Sequence, residues 1–324
     1  MSDNQPTDPP TASGPRPPRE RREPLPWARP KPAEEDPDAP DRVRAILESP
    51  SYRQADSDPD FLNLDETRGV RLQIDYLKAE LLLRRYGVCH TVVVFGSTRI
   101  PEPSAAARDL EASLAALAAH PDDAALAARC RMARRIAEKS RYYDVARELG
   151  RLVGQAGGGP ADCRVVVCTG GGPGMMEAAN RGAHDVGAAS VGLNIKLPHE
   201  QYPNPYVTPD LCFSFHYFAL RKLHFLLRAR ALVAFPGGYG TLDELFETLT
   251  LVQTRTIEPL PIVLVGEAYW RRLLDVDFLV EEGMIAPEDR ELFWYAETAR
   301  EIWDGILRWH GDNGAQLFCE PAGP

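Results

Sequence analysis

Three short runs of this chain carry glycine where an anion could be held: Phe95-Gly-Ser-Thr-Arg99, Thr169-Gly-Gly-Gly-Pro-Gly174 and Phe235-Pro-Gly-Gly-Tyr-Gly-Thr241. Each ends an apolar, strand-like run. Two of them open onto helical patterns, so free backbone N–H groups and a positive helix end face one crevice. Any one such turn is most simply a tight bend. Three of them at strand ends along one sheet edge point to a phosphate-bearing ligand. No Gly-Lys-Ser/Thr closes these turns as in a P-loop. The 170–174 run also lacks the dinucleotide spacing, and no acidic residue ends the following strand. ATP hydrolysis and hydride transfer are therefore disfavoured.

The helices beside these turns add charge. A helix expected from Thr241 to Thr254 puts Leu242, Leu245, Phe246, Leu249 and Val252 on a core-facing side. Glu244 and Glu247 fall in another sector, shared with Leu251, and that apolar companion suggests a face covered by a second subunit. The preceding helix, expected from Phe218 to about Arg230, groups Arg221, His224 and Arg228, while Lys222 points away. Arg221 lies early in its helix, where the dipole disfavours a cation, which hints at function. Amide-lined turns, an arginine and a carboxylate suit cleavage of a ribosyl N-glycosidic bond. Positive charge builds on the sugar ring, and a carboxylate can stabilise it while orienting water. Nucleotide binding without turnover would use the same parts.

These residues need a scaffold, and the pattern supplies one. Apolar runs over His90–Phe95, Arg164–Cys168, Ser190–Ile195, Leu211–Phe215, Ala231–Phe235 and Pro261–Val265 alternate with helical segments. That alternation predicts an α/β fold with a doubly wound parallel sheet and helices on both faces. Ligands of such sheets bind beyond the carboxyl ends of the strands. An amphipathic helix over Val70–Tyr86 precedes the first strand. An Ala-rich helical insert, about 104–155, breaks at His120-Pro121.

Fourteen of the 29 prolines fall within residues 1–60, where both signs of charge mix with few apolar residues. The expectation is a disordered tail over 1–60 and a single domain over 61–324. The net charge of −10 speaks against a nucleic-acid partner. Six cysteines without metal-type spacing read as free thiols of a cytoplasmic protein, with no metal and no cofactor. No apolar run suits a membrane span or a secretory leader, so no membrane partner is expected.

Pro236-Gly-Gly-Tyr-Gly-Thr-Leu-Asp-Glu244 resembles the PGGxGTxxE signature of the LOG ("lonely guy") family, cytokinin riboside 5′-monophosphate phosphoribohydrolases formerly mislabelled lysine decarboxylases. The runs 170–183, 192–201 and 215–222 look like its longer bacterial members, and the resemblance covers roughly residues 88–310. It implies a Rossmann-like fold and hydrolysis of AMP, or an N6-modified AMP, to free base and ribose 5-phosphate. Glu244 and Arg221 match the family's catalytic residues. Gly237, Gly238, Gly240 and Thr241 match its phosphate-holding turn, and Gly96, Ser97 and Arg99 would line the nucleotide pocket. Gly171, Gly172, Gly174 and Lys222 join the binding candidates, with Glu177, Asn194 and Glu247 as further ones. The resemblance also implies a homodimer or higher homo-oligomer with the site near the interface. The run Pro173-Gly-Met-Met-Glu-Ala-Ala-Asn180 departs from the short plant-like form, which leaves AMP itself in view as substrate. The rival reading is a carrier of a nucleotide or phosphate-bearing cofactor.

Overall fold

The β-branched run His90–Phe95 forms β1, the central strand of a seven-stranded sheet in the computed structural model, which describes residues 29–196 and 202–319. The other strands are β2 (Val165–Thr169), β3 (Ser190–Ile195), β4 (Cys212–Phe215), β5 (Ala229–Ala234), β6 (Ile262–Val265) and β7 (Trp294–Ala296). Their order is β4-β3-β2-β1-β5-β6-β7, and every pair is parallel. The chain winds outward from β1 through β2, β3 and β4, then returns to lay β5 on the other side of β1. The topological switch point therefore lies between β1 and β5.

The chain divides into two units, residues 1–68 and 69–324. In the first, α1 (Ala39–Glu48) and the single turn α2 (Pro59–Leu62) are joined by short 3-10 turns. The expectation of a disordered tail over 1–60 is thus corrected for residues 29–60; residues 1–28 lie outside the described residues. The charges that made this stretch look merely solvated sit at helical spacing. Arg42 pairs with Asp38 and Arg44 with Asp41, and Asp58 caps α2 by accepting from the N–H groups of Asp60 and Phe61.

In the second unit the helices are α3 (Arg68–Arg85), α4 (Pro103–Ala119), α5 (Ala124–Lys139), α6 (Arg141–Gly154), α7 (Met175–Asp185), α8 (Phe218–Leu227), α9 (Tyr239–Gln253), α10 (Glu267–Leu273), α11 (Val276–Glu281) and α12 (Ala299–Asp312). Alternate β1 residues face opposite layers, as the strand's period of two requires. Val92 and Val94 pack with Tyr143 and Leu149 of α6, Met175 and Ala178 of α7, and Ile302 and Ile306 of α12. Val93 and Phe95 pack with Leu83 of α3, Phe225 of α8, Leu245 of α9 and Trp270 of α10.

Three expectations change here. The 104–155 segment is not wholly an insert: α6 buries Tyr142, Tyr143, Ala146, Leu149 and Val153 and forms part of a core layer. Phe246 is 41% exposed and so does not belong to the core-facing side of α9, which instead buries Thr241, Glu244 and Thr248 along with Leu245 and Val252. Cys89 and Cys319 form a disulfide with their Cα atoms 6.4 Å apart. Sequence spacing could not show this, because the pair is 230 residues apart and is brought together by the chain's return to β1. There the His90 ring meets Leu317 O at 2.8 Å and Arg164 donates to Cys319 O at 3.1 Å. Cys130, Cys163, Cys168 and Cys212 are free.

The α6–α7 contact depends on the absence of a side chain. A Cβ at Gly182 would lie 1.8 Å from Arg147 O. Gly182→Ala is therefore expected to lower the unfolding free energy by about 2–3 kcal/mol in a denaturant titration. Gly69→Ala, where nothing lies within 4 Å, is expected to raise it by about 0.5–1 kcal/mol.

Candidate active site

The turns that follow β1 and β5 are laced together at the switch point. Ser97 N–H donates to Pro236 O at 3.0 Å, and Phe235 N–H donates to Phe95 O at 2.9 Å. The turn after β2 joins them, since Met175 N–H donates to Ser97 O at 3.2 Å. Gly174 makes this approach possible: its φ is +72°, and a Cβ there would fall 2.4 Å from Ser97 O.

Between these turns lies a cavity of about 480 Å³, within the range of small-molecule sites. Gly96, Ser97 and Arg99 line one side, and Gly238, Gly240 and Thr241, at the start of α9, line the other. Arg221 and Glu244 close its floor, and Phe218, Met176 and Tyr239 add apolar and aromatic surface. The helix α9 begins at the cavity, so its free N–H groups and positive end are available to an anion there.

Glu244 is 4% exposed. Among the described residues, no side chain hydrogen-bonds its carboxylate; the hydroxyl of Thr248 donates instead to its main-chain carbonyl at 2.8 Å. Burial pushes the Glu244 carboxyl up to about 7, against the pull of the positive charges on Lys222 and Arg221. A carboxylate that leaves and regains its proton near neutral pH is suited to acid–base work.

Arg221 is held from several sides. Its Nε–H donates to Leu193 O at 2.7 Å, and its guanidinium lies 5.5 Å from the ring centre of Phe218 and 5.0 Å from that of Phe225. Burial lowers its pKa, and the charge of Glu244 works the other way. It has no carboxylate within 4.0 Å among the described residues, so its charge is directed at the cavity and not consumed by an ion pair. Gly170 makes room for it, since a Cβ there would fall 2.6 Å from Nη2.

The remaining candidates divide. Gly237 lies just behind the cavity, with its carbonyl accepting from the Tyr269 hydroxyl at 2.5 Å. Gly171 and Gly172 are outside the lining; their carbonyls accept from Asn204 N–H and Nδ2–H at 2.8 and 3.0 Å. Asn194 is buried beside Gly171 and also outside it. Glu177 accepts from the Tyr143 hydroxyl at 2.7 Å, a contact within the helix layer. Lys222 does not reach the cavity: its side chain, 16% exposed, bridges Asp243 at 2.8 Å and Glu247 at 3.0 Å. That bridge also takes Glu247 away from the lining. The basic stripe disperses as well, for the His224 ring is packed on Tyr76 and Phe215 and Arg228 pairs with Glu80 at 2.7 Å.

Phe218, Met176, Tyr239 and Tyr269 were not singled out from the sequence. Their only signal is adjacency to the motif residues, except for Tyr269, which approaches from 32 positions away. Among the described residues, no group of three or more His, Cys, Asp or Glu side chains is placed to hold a metal ion, and no helix is long and apolar enough to cross a membrane.

The fold and the cavity define a doubly wound α/β protein with an anion-type cleft at its switch point, floored by an arginine and a buried glutamate. Comparison with known proteins narrows that class. A family model described as "Possible lysine decarboxylase" matches residues 176–306. Cytokinin riboside 5′-monophosphate phosphoribohydrolase LOG3 of Arabidopsis thaliana is 33% identical over 171 residues, 51% of this chain and 74% of that protein. The LOG enzyme of the same description from Oryza sativa subsp. japonica is 34% identical over 167 residues, 51% of this chain and 65% of that protein. A molybdenum cofactor binding protein from Rippkaea orientalis has a solved structure with a TM-score of 0.36 and 22% identity, covering 52% of this chain and 86% of that one. The chain belongs to the LOG family.

Proposed function

We propose that this protein hydrolyses the N-glycosidic bond of a nucleoside 5′-monophosphate, AMP or an N6-modified AMP, to free base and ribose 5-phosphate. The observation that carries the reading is the buried Glu244 carboxyl, with a pKa near 7, facing the same cavity as Arg221 and the amide-rich turns. In its ionised form Glu244 stabilises the positive charge that develops on the ribose as the C1′–N bond stretches, and it takes a proton from the water that attacks C1′. The base leaves with the bonding electron pair and gains its proton from solvent. The 5′-phosphate sits against the start of α9 and the 96–99 turn, and Arg221 supplies fixed positive charge at the floor. Phe218, Met176 and Tyr239 offer the base a surface on which to pack. Lysine decarboxylation has no support here, because Lys222 is held by Asp243 and Glu247.

The test is a panel of AMP, GMP, CMP and isopentenyl-AMP incubated with purified protein. Free base and ribose 5-phosphate in equal amounts are expected from at least one adenine nucleotide. Tight binding with no free base would favour the carrier reading instead.

The working form is a homo-oligomer, a dimer or larger. Phe218, Leu223 and Leu227 of α8 are 47%, 43% and 47% exposed. Leu223 and Leu227 line an apolar groove that runs on to Leu251 of α9, while Phe218 borders the active cavity. Such a continuous apolar face suits a second copy of the chain, which would then border the site. Leu227→Glu is expected to shift the protein to a monomer in light scattering and to reduce turnover; an unchanged mass would reject this interface.

A further inference from the structure

A second cavity, about 620 Å³, opens where α5, α6 and α10 meet, away from the site described above. Arg135 and Lys139 of α5, Arg141 of α6 and Arg272 of α10 line it. Glu138 is the one carboxylate among the described lining residues, although the chain as a whole carries a net charge of −10. Arg141 is paired with Glu297 at 3.0 Å. Arg135, Lys139 and Arg272 have no carboxylate within 4.0 Å among the described residues. Their neighbours do: Arg271 pairs with Glu267, and Arg147 and Arg151 share Asp185. A cation near a helix C-terminus is ordinary, which accounts for Lys139 and Arg272 one at a time. It does not account for three cations without a carboxylate partner, from two helices, converging on one recess, although Lys139 Nζ also donates to Arg135 O at 3.2 Å. A concave site lined by one sign of charge focuses its field and concentrates counter-ions.

The recess is connected to the active site. Tyr269 forms part of its wall, and the same side chain donates its hydroxyl to Gly237 O in the turn that opens α9. A second path starts at Arg141, whose partner Glu297 accepts from Glu267 N–H at 2.9 Å and so holds the start of α10, the helix that carries Tyr269. A ligand that engages Arg141 and Arg272 therefore pulls on both ends of a seven-residue helix.

We propose that this recess binds a small polyanion bearing two or more phosphate groups, and that its occupancy is transmitted through α10 and Tyr269 to the Gly237 turn. The transmission rests on the function proposed above; the binding does not. The experiment is calorimetric titration of the full chain with inorganic pyrophosphate at low salt, with turnover followed in parallel. Wild-type protein is expected to bind pyrophosphate. The double variant Arg135→Gln/Arg272→Gln should bind it about tenfold or more weakly, with unchanged thermal midpoint and unchanged turnover in its absence. Tyr269→Phe should bind it like wild type, yet turnover should no longer respond to it. Replacing pyrophosphate by ADP tells whether a nucleoside adds affinity, and inorganic phosphate should bind less tightly than either. Equal pyrophosphate affinity in wild type and the double variant, or no binding in either, overturns the site. An equal response of wild type and Tyr269→Phe overturns the transmission. Should the chain release no base at all, the calorimetric comparison still decides the binding.

Discussion

Glu244→Gln is expected to cut base release by at least about 10³-fold and, at the same time, to make the protein more stable above pH 7. The two effects share one cause. The Glu244 carboxyl is buried and its pKa is raised to about 7, so the folded state holds a proton that the unfolded chain releases near pH 4.5. The sign follows by linkage: stability associated with this group is intact below pH 4.5 and is lost as pH rises through 7. At pH 8 the ionised carboxylate costs the fold roughly 3 kcal/mol relative to the same group in the unfolded chain. Glutamine keeps the shape and removes that cost, so denaturant midpoints of wild type and variant should diverge at pH 8 and converge at pH 4.5. In catalysis glutamine neither balances a developing cation nor accepts a proton from water. For the wild type, kcat/KM should accordingly rise with pH through about 7 as a single proton is lost. Loss of activity without the pH-dependent gain in stability would mean that Glu244 acts through something other than its buried charge.

Arg221→Ala carries the second largest effect, an expected loss of about 10²–10³-fold in turnover. The guanidinium is a fixed positive charge with no ion-pair partner among the described residues, so its removal changes the field in the cavity without freeing a competing carboxylate. Its loss also leaves Leu193 O without the Nε–H donor now at 2.7 Å, which costs about 1–3 kcal/mol of stability. A structural role alone would produce that second number and nothing else. The distinguishing readout is the pH profile of the residual activity. Arg221 is one of the charges that pull the Glu244 pKa down, so in the variant the acid limb should move above pH 7. Arg221→Lys, which retains the charge, should bring the limb back toward 7 while restoring only part of the rate, because a lysine lacks the Nε–H that holds the side chain to Leu193 O.

Much of this arrangement is legible before folding. The apolar runs mark β1 and β3 over the same residues that pair in the sheet, and the glycine turns after β1 and β5 locate the cleft, while the 169–174 turn lies outside its lining and packs on the 96–99 turn. Glu244 is legible from its motif and from its odd sector on the helical wheel. The wheel alone misplaces Phe246, since it assumes one core-facing stripe, whereas α9 also turns toward a charged cavity and so buries Thr241, Glu244 and Thr248. It likewise cannot show that Lys222 is consumed by Asp243 and Glu247, because that bridge spans two helices. The helix α8 ends at Leu227, short of the Arg230 expected, because Ala229 pairs with Thr91 and the chain enters β5. The strand β7, the Cys89–Cys319 pair and the reach of Tyr269 to Gly237 are long-range outcomes with no local pattern to announce them.

Base release from AMP or its N6-modified analogue in water enriched in oxygen-18, followed by mass spectrometry of both products, tests the central claim most directly. The account predicts free base without label and ribose 5-phosphate carrying one labelled oxygen at C1, with the reaction all but absent in Glu244→Gln. Label in released inorganic phosphate, or base release undiminished in Glu244→Gln, would contradict it.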